Sequence, residues 1–243
     1  MATKKRTLKA STKNDLITYA MLAVMFVLVQ ILTATGNISN LFEGLLVPLC
    51  TYSIMAVSLN LVVGILGDLS LGHAGFMCVG AYASAFFSVT FEDMIQPDWF
   101  RFLLALILGG VCAGLAGLLI GIPVLRLKGD YLAIVTLAFG EIIKNIVSIL
   151  YVGIDENGLH VSMQNTSALG LTENGRVIIK GALGITGTPR DSTFLIGFLM
   201  LLITVFVSLN LIHSRTGRAV MSIRDNRIAA ESVGINITKY KLV

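Results

Sequence analysis

Charge is scarce in this chain. Asp, Glu, Lys and Arg together make up 13% of its 243 residues, against roughly 25% in an ordinary soluble domain, while hydrophobic residues fill 55%. That imbalance excludes an ordinary water-soluble domain. Cysteine is also scarce, and Cys50, Cys78 and Cys112 each fall inside an apolar run where a thiol behaves as a small hydrophobe, so no disulfide is expected. The three histidines, His73, His160 and His213, are scattered, and no H-E-x-x-H, C-x-x-C or Walker A pattern occurs. No metal site, cofactor or nucleotide site is expected, and no catalytic set of nucleophile, base and orienting group is visible. The formal charge of +4 would hint at an anionic partner in a soluble protein. In so apolar a chain the positions of the basic residues say more than their sum, and no nucleic-acid partner is expected.

What the chain has instead is repeated apolar stretches of about 20 residues, the length that about 30 Å of hydrocarbon demands of a helix. Six spans are read, at 15–35, 45–66, 69–90, 102–123, 131–152 and 193–212. The fold expected is all-α, a polytopic transmembrane helical bundle forming one domain over 1–243 in contact with membrane lipid. The basic start before the first run resembles a secretory signal, but the run is long and lacks an A-x-A site, so an uncleaved span is the better reading.

With the N-terminus (1–14) cytoplasmic, six alternating spans place the Gly67/Asp68 turn, 124–130 and 213–243 inside. That side holds Lys4, Lys5, Arg6, Lys9, Lys13, Arg126, Lys128, Arg215, Arg218, Arg224, Arg227, Lys239 and Lys241. Outside lie only Arg101, Arg176, Lys180 and Arg190, and Lys144 falls within a span. This is the asymmetry of the positive-inside rule. The external segment 153–192 is polar and too long for a bare connection, so structure is expected within it.

Four groups of residues stand out. Gly110, Gly114, Gly117 and Gly121 in the fourth span form two G-x-x-x-G pairs suited to close helix packing. The stretch "GDLSLGHAGF", Gly67 to Phe76, puts Asp68 and Ser70 where either could cap the third helix, with His73 beside Gly72 and Gly75. A tight turn with a packed histidine and a break lining a transport path are both open readings there. In the fifth span Glu141 lies ten residues past Tyr131, about 15 Å deep, and Thr136, Gly140, Lys144 and Ser148 recur every four residues beside Glu141 and Asn145. That polar face should look into the bundle. Glu141 and Lys144 at i, i+3 are either a neutralised pair joining helices or polar groups near a path or gate. With Asn60, the residues Gly72, His73, Thr136, Glu141, Lys144 and Asn145 form the candidate translocation set. Finally, "RIAAESVG" in the charged tail reads as a short helix stopped by Gly234.

Three blocks, "LSLGHAGFMCVGAY" (Leu69 to Tyr82), "LRLKGDYLAIVTLAFGEIIK" (Leu125 to Lys144) and "SRTGRAVMSIRDNRIAAESVGINITKYKL" (Ser214 to Leu242), resemble the membrane permease subunits of bacterial ABC importers for branched-chain amino acids, the hydrophobic amino acid uptake family. A weaker likeness is "GALGITGTP", Gly181 to Pro189, to a Gly-rich external segment. The resemblance implies a multi-pass subunit of the bacterial cell membrane that moves hydrophobic amino acids and is not itself an enzyme. Its implied partners are two cytoplasmic ABC ATPase subunits, a second permease subunit (identical or a paralogue) and an extracytoplasmic substrate-binding protein. It also implies a cytoplasmic ATPase-coupling loop over 213–243, with Ala229, Ala230 and Gly234 matching the E-A-A-x-x-x-G element, Ile228 at its glutamate position, and Arg224 and Glu231 alongside. The alanines would seat the helix in a cleft of the ATPase. Family members continue with further spans, so a continuation beyond Val243 is expected. Related permeases move urea and short amides, which is the alternative substrate class; an ion-coupled secondary transporter is a further alternative.

Overall fold

A computed structural model describes residues 10–36, 39–92, 94–124, 127, 130–156, 158–172, 175–189 and 191–242. Lys4, Lys5, Arg6, Lys9, Arg126, Lys128 and Arg190, which entered the count of basic residues, lie outside the described residues.

The chain is predominantly helical and separates into two compact units, Met1–Ser58 with Ser192–Ser214, and Leu59–Asp191 with Arg215–Val243. In the first unit, helices α1 (Ala10–Ala34), α2 (Asn40–Asn60, whose last residues enter the second unit) and α6 (Phe194–His213) pack around Cys50, Phe198, Leu201 and Val205. Phe26 stacks on Phe198 with ring centroids 4.5 Å apart, and Gly197 lets α6 approach Cys50, since an added Cβ would lie 3.1 Å from the Cys50 Cβ. Thr193 caps α6 by accepting from the Ile196 N–H.

The second unit opens with a wide helical turn, Leu61–Leu66, that closes on Gly67, whose φ of +81° is left-handed and suits glycine. Then follow an irregular stretch over 67–72, α3 (His73–Thr90), α4 (Asp98–Val124) and α5 (Asp130–Ile149). Helix α3 packs on α4 at Gly80 and Gly109, where a Cβ on Gly109 would come within 2.7 Å of the Gly80 carbonyl oxygen.

The segment between α5 and α6 carries a small antiparallel sheet in the order β2-β1-β3, formed by β1 (Tyr151–Asp155), β2 (Gly158–Ser162) and β3 (Arg176–Lys180). The β-branched residues of "YVGID" and "RVIIK" suit a pleated surface, and Val152, Ile178 and Ile179 bury against Val89 and Phe86 of α3. The fifth span therefore ends earlier than its apolarity suggests, because Tyr151 and Val152 already belong to β1. Three short helices, α7 (Arg215–Asp225), α8 (Arg227–Ser232) and α9 (Ile237–Leu242), close the chain around Ile223, Ala230 and Ile237.

Among the described residues, five helices are long and apolar enough to cross a membrane: Lys13–Ala34, Asn40–Leu66, Asp98–Val124, Tyr131–Ile149 and Phe194–His213. The sixth expected span, the third in order, is the 18-residue α3, which begins at His73 rather than 69 and is diluted by glycines and hydroxyls at Gly75, Gly80, Ser84 and Ser88. Its glycines serve contact with α4 and α5, at the expense of apolar content.

Candidate functional site

The break between α2 and α3 is built by residues far away in sequence. Thr136 on α5 is buried; its hydroxyl accepts from the Leu71 N–H at 3.1 Å and donates to the Ala133 carbonyl at 3.0 Å. Gly72 lies against the same residue, and a Cβ there would sit 2.6 Å from the Thr136 carbonyl oxygen. One turn on, a Cβ on Gly75 would be 3.1 Å from the Gly140 Cα. Helices α3 and α5 thus touch nearly backbone to backbone, which only glycine permits.

The expected capping of α3 by Asp68 or Ser70 does not occur. The cap position is Gly72, without a side-chain bond, and Asp68 lies too early to reach the first turn. Its carboxylate accepts instead from the Lys241 ammonium on α9. Arg224 on α7 donates to the Gly64 carbonyl at 2.7 Å, one of the acceptors that a helix end leaves without a following N–H. A Cβ on Gly67 would meet the Arg224 side chain. The tail is therefore fastened to the turn that leads into α3.

Beside the α3/α5 contact runs a groove of about 370 Å³, with Leu71, Cys78, Tyr82 and Leu137 among its walls and Glu141 and Lys144 along one side. Lys144 donates to Glu141 at 2.9 Å. The polar face of α5 is covered only in part. Thr136 is buried, whereas the side chains of Glu141 and Lys144 are 56% and 69% exposed and Asn145 is exposed, because α3 covers the face at Thr136 and Gly140 and leaves the next turn open.

Of the candidate path residues, Glu141 and Lys144 line the groove, and Gly72 and Thr136 form the contact beside it. His73 is not among its walls; its ring lies edge-on to Phe76 at 6.5 Å, and its Nδ1 is buried without a hydrogen-bond partner among the described residues. Asn60, at the end of α2, lies beside Gly64 of the wide turn and is not among the groove walls.

The glycine stripe of α4 behaves differently from its sequence reading. Gly110, Gly114, Gly117 and Gly121 have nothing within 4 Å of an added Cβ among the described residues, and the close packing of α4 is made by Gly109, one position round the helix. The G-x-x-x-G spacing marks small residues on a helix but does not tell which neighbour, if any, packs against them.

In the tail, Asn226 caps α8 by accepting from the Ile228 and Ala229 N–H groups at 3.1 Å each, and Gly234, with φ +86°, ends it. Ala230 is 3% exposed, turned into the tail's own apolar cluster. Ala229 and Glu231 are exposed, and the open apolar groups are Ile228 and Val233, at 79% and 75%. The alanine expected to seat in a partner's cleft thus packs at home, because a six-residue helix needs an inward face to be held at all.

Sequence reasoning missed Arg101, which it placed among external charges. It is 3% exposed, pairs with Asp98 and Asp191 at 3.0 Å each, and donates to the Glu92 carbonyl at 3.3 Å. The available signal was a lone arginine three residues after an aspartate at the head of a strongly apolar helix. Lys241 and Asp68 offered no such local sign, being 173 positions apart.

Long apolar helices, a glycine-fitted break, a part-charged groove and a helical tail fastened at that break define a multi-pass helical membrane protein. The chain belongs to the branched-chain amino acid transport system / permease component family, whose profile matches residues 41–243. It is 35% identical over 205 residues to the high-affinity branched-chain amino acid transport system permease protein LivM of Salmonella typhimurium (strain LT2), and equally to that of Escherichia coli (strain K12). Each alignment covers 79% of this chain and 45% of the relative, so the chain spans about half the length of the curated relatives it matches. No solved structure matches it.

Proposed function

We propose that the chain is a non-enzymatic permease subunit of an ATP-driven importer of branched-chain amino acids in a bacterial cell membrane. The family match over 41–243 supports this reading most directly. Two cytoplasmic ATPase subunits, a second permease subunit and an external binding protein complete the machine in this proposal, with the N-terminus and the tail 213–243 on the cytoplasmic side.

The tail is the coupling element in this reading. Its exposed Ile228 and Val233 offer an apolar grip for an ATPase, while Arg224 and Lys241 hold the other side of the tail to the Gly64–Asp68 turn. An ATPase that changes shape on binding ATP then favours one orientation of α3 against α5 over the other, a population shift whose size equals the difference in its affinity for the two states.

The deciding experiment is leucine uptake into vesicles holding the chain with the permease, ATPase and binding-protein partners proposed above. Uptake that requires internal ATP, and that excess valine suppresses while urea does not, is the expected result. Uptake driven by a proton gradient without the ATPases would overturn the proposal.

A further inference from the structure

We infer that the groove between α3 and α5 is a binding site for a zwitterionic α-amino acid with an aliphatic side chain, Glu141 receiving its ammonium group and Lys144 its carboxylate. The inference rests on the importer reading for the substrate's passage along this chain and adds where, and by which atoms, the substrate is held.

A lysine ammonium has three donors, and a carboxylate has two oxygens able to accept about four hydrogen bonds. Among the described residues, the one hydrogen bond between them joins Lys144 Nζ to Glu141 Oε1. The rest of that capacity is unmatched by any described bond, on residues near the middle of a helix able to span the membrane, Tyr131–Ile149. At that depth an unmatched charge is expensive, and such groups face a partner, a cavity or a path. Here they face a groove.

The groove supplies the remainder of the recognition. Its walls beyond the pair are mostly apolar, with Leu71, Cys78, Leu137 and Val147 contributing, and about 370 Å³ lies at the small end of ligand sites. A cation alone would leave Lys144 opposed, and an anion alone would leave Glu141 opposed. A molecule carrying both charges on one carbon satisfies both at once and leaves its hydrocarbon for the apolar wall. The backbone contact of Gly75 with Gly140 borders the groove, so motion of α3 against α5 would change its width directly.

Cys78 on the groove wall is a built-in reporter. In the assembled transporter with Cys50→Ala and Cys112→Ala, so that the remaining thiol of the chain is Cys78, the rate of alkylation by N-ethylmaleimide is measured without ATP. Leucine is expected to slow it, whereas 3-methylbutylamine, which has only the ammonium, and 4-methylpentanoate, which has only the carboxylate, need at least tenfold higher concentration. Glu141→Gln and Lys144→Gln should each raise the leucine concentration required by at least tenfold, and the exchanged pair Glu141→Lys with Lys144→Glu should recover most of it. Equal protection by either single-charge analogue, or no protection by leucine while leucine uptake persists, overturns the site. If Cys78 is unreactive, Leu137→Trp decides, because it fills the groove: a tenfold loss of uptake in a normally inserted chain supports the site and unchanged uptake overturns it. Protection is read without ATP, so protection in vesicles that fail ATP-driven uptake sinks the importer reading and leaves the site standing.

Discussion

Lys241, in α9, closes an ion pair with Asp68, in the turn between α2 and α3, and the lysine side chain is only 5% exposed. The pair lies beside the Arg224 bond to Gly64, so two cations of the tail hold one turn. Force applied to the tail has a short route to the start of α3.

Breaking that pair should loosen the tail. Lys241→Met leaves Asp68 without its cation, and Asp68→Asn leaves a largely buried ammonium, at a cost of about 1–3 kcal/mol each. Trypsin should then cleave within 215–242 several times faster, and Asp68→Lys combined with Lys241→Asp should restore much of the protection. An unchanged cleavage rate in both single variants would show that the pair does not hold the tail.

Gly72 and Gly110 should respond oppositely to alanine. At Gly72 the new methyl meets the Thr136 carbonyl and forces the helices apart, an overpacking cost of about 1–3 kcal/mol. At Gly110 the space is open among the described residues and alanine is the better helix former by up to about 1 kcal/mol. Thermal unfolding in detergent should therefore fall for Gly72→Ala and hold or rise for Gly110→Ala; equal losses would contradict the packing described.

Arg101→Met should cost about 3 kcal/mol, since it strands Asp191, whose side chain is 17% exposed, without its partner. Arg101→Lys should recover only part, because a single ammonium lacks the fork that reaches two carboxylates and a carbonyl together. Thermal unfolding checks both, and a lysine variant as stable as the parent would assign the stability to charge alone.

The proposed grip on an ATPase is tested by Ile228→Asp and Val233→Asp. Each places a charge on an exposed apolar position and should reduce copurified ATPase at least tenfold, equivalent to about 1.4 kcal/mol, with tail proteolysis unchanged. Ala230→Asp should lose the ATPase and expose the tail to protease together, because that side chain lies inside the cluster of Ile223 and Ile237. Full ATPase recovery from the Ile228 and Val233 variants would move the docking surface elsewhere.

The long helices were legible because apolar length is a local property, and the boundaries of α4 and α6 fall within a few residues of their apolar runs. The small sheet was legible only as a segment too long to be bare, since strand pairing of β1 with β3 joins residues about 25 apart and leaves no short-range period. Gly109 was hidden by its neighbours: the spacing of Gly110, Gly114 and Gly117 is the louder motif, yet which face of a helix meets which partner is a matter of rotation, and spacing is indifferent to it.

From composition and order alone came a membrane-spanning helical chain, the pairing of Glu141 with Lys144 one turn apart, the break around Gly67 and the short tail helix ending at Gly234. Each depends on residues within a turn or two of one another, or on the apolar content of a stretch. Tertiary structure decided that Thr136 ties down Leu71, that Lys241 answers Asp68, that Ala230 faces inward and that a groove lies open beside Glu141. Those outcomes follow from which helices meet and at what rotation, a choice made by the summed packing of many side chains and written in no single stretch of the chain.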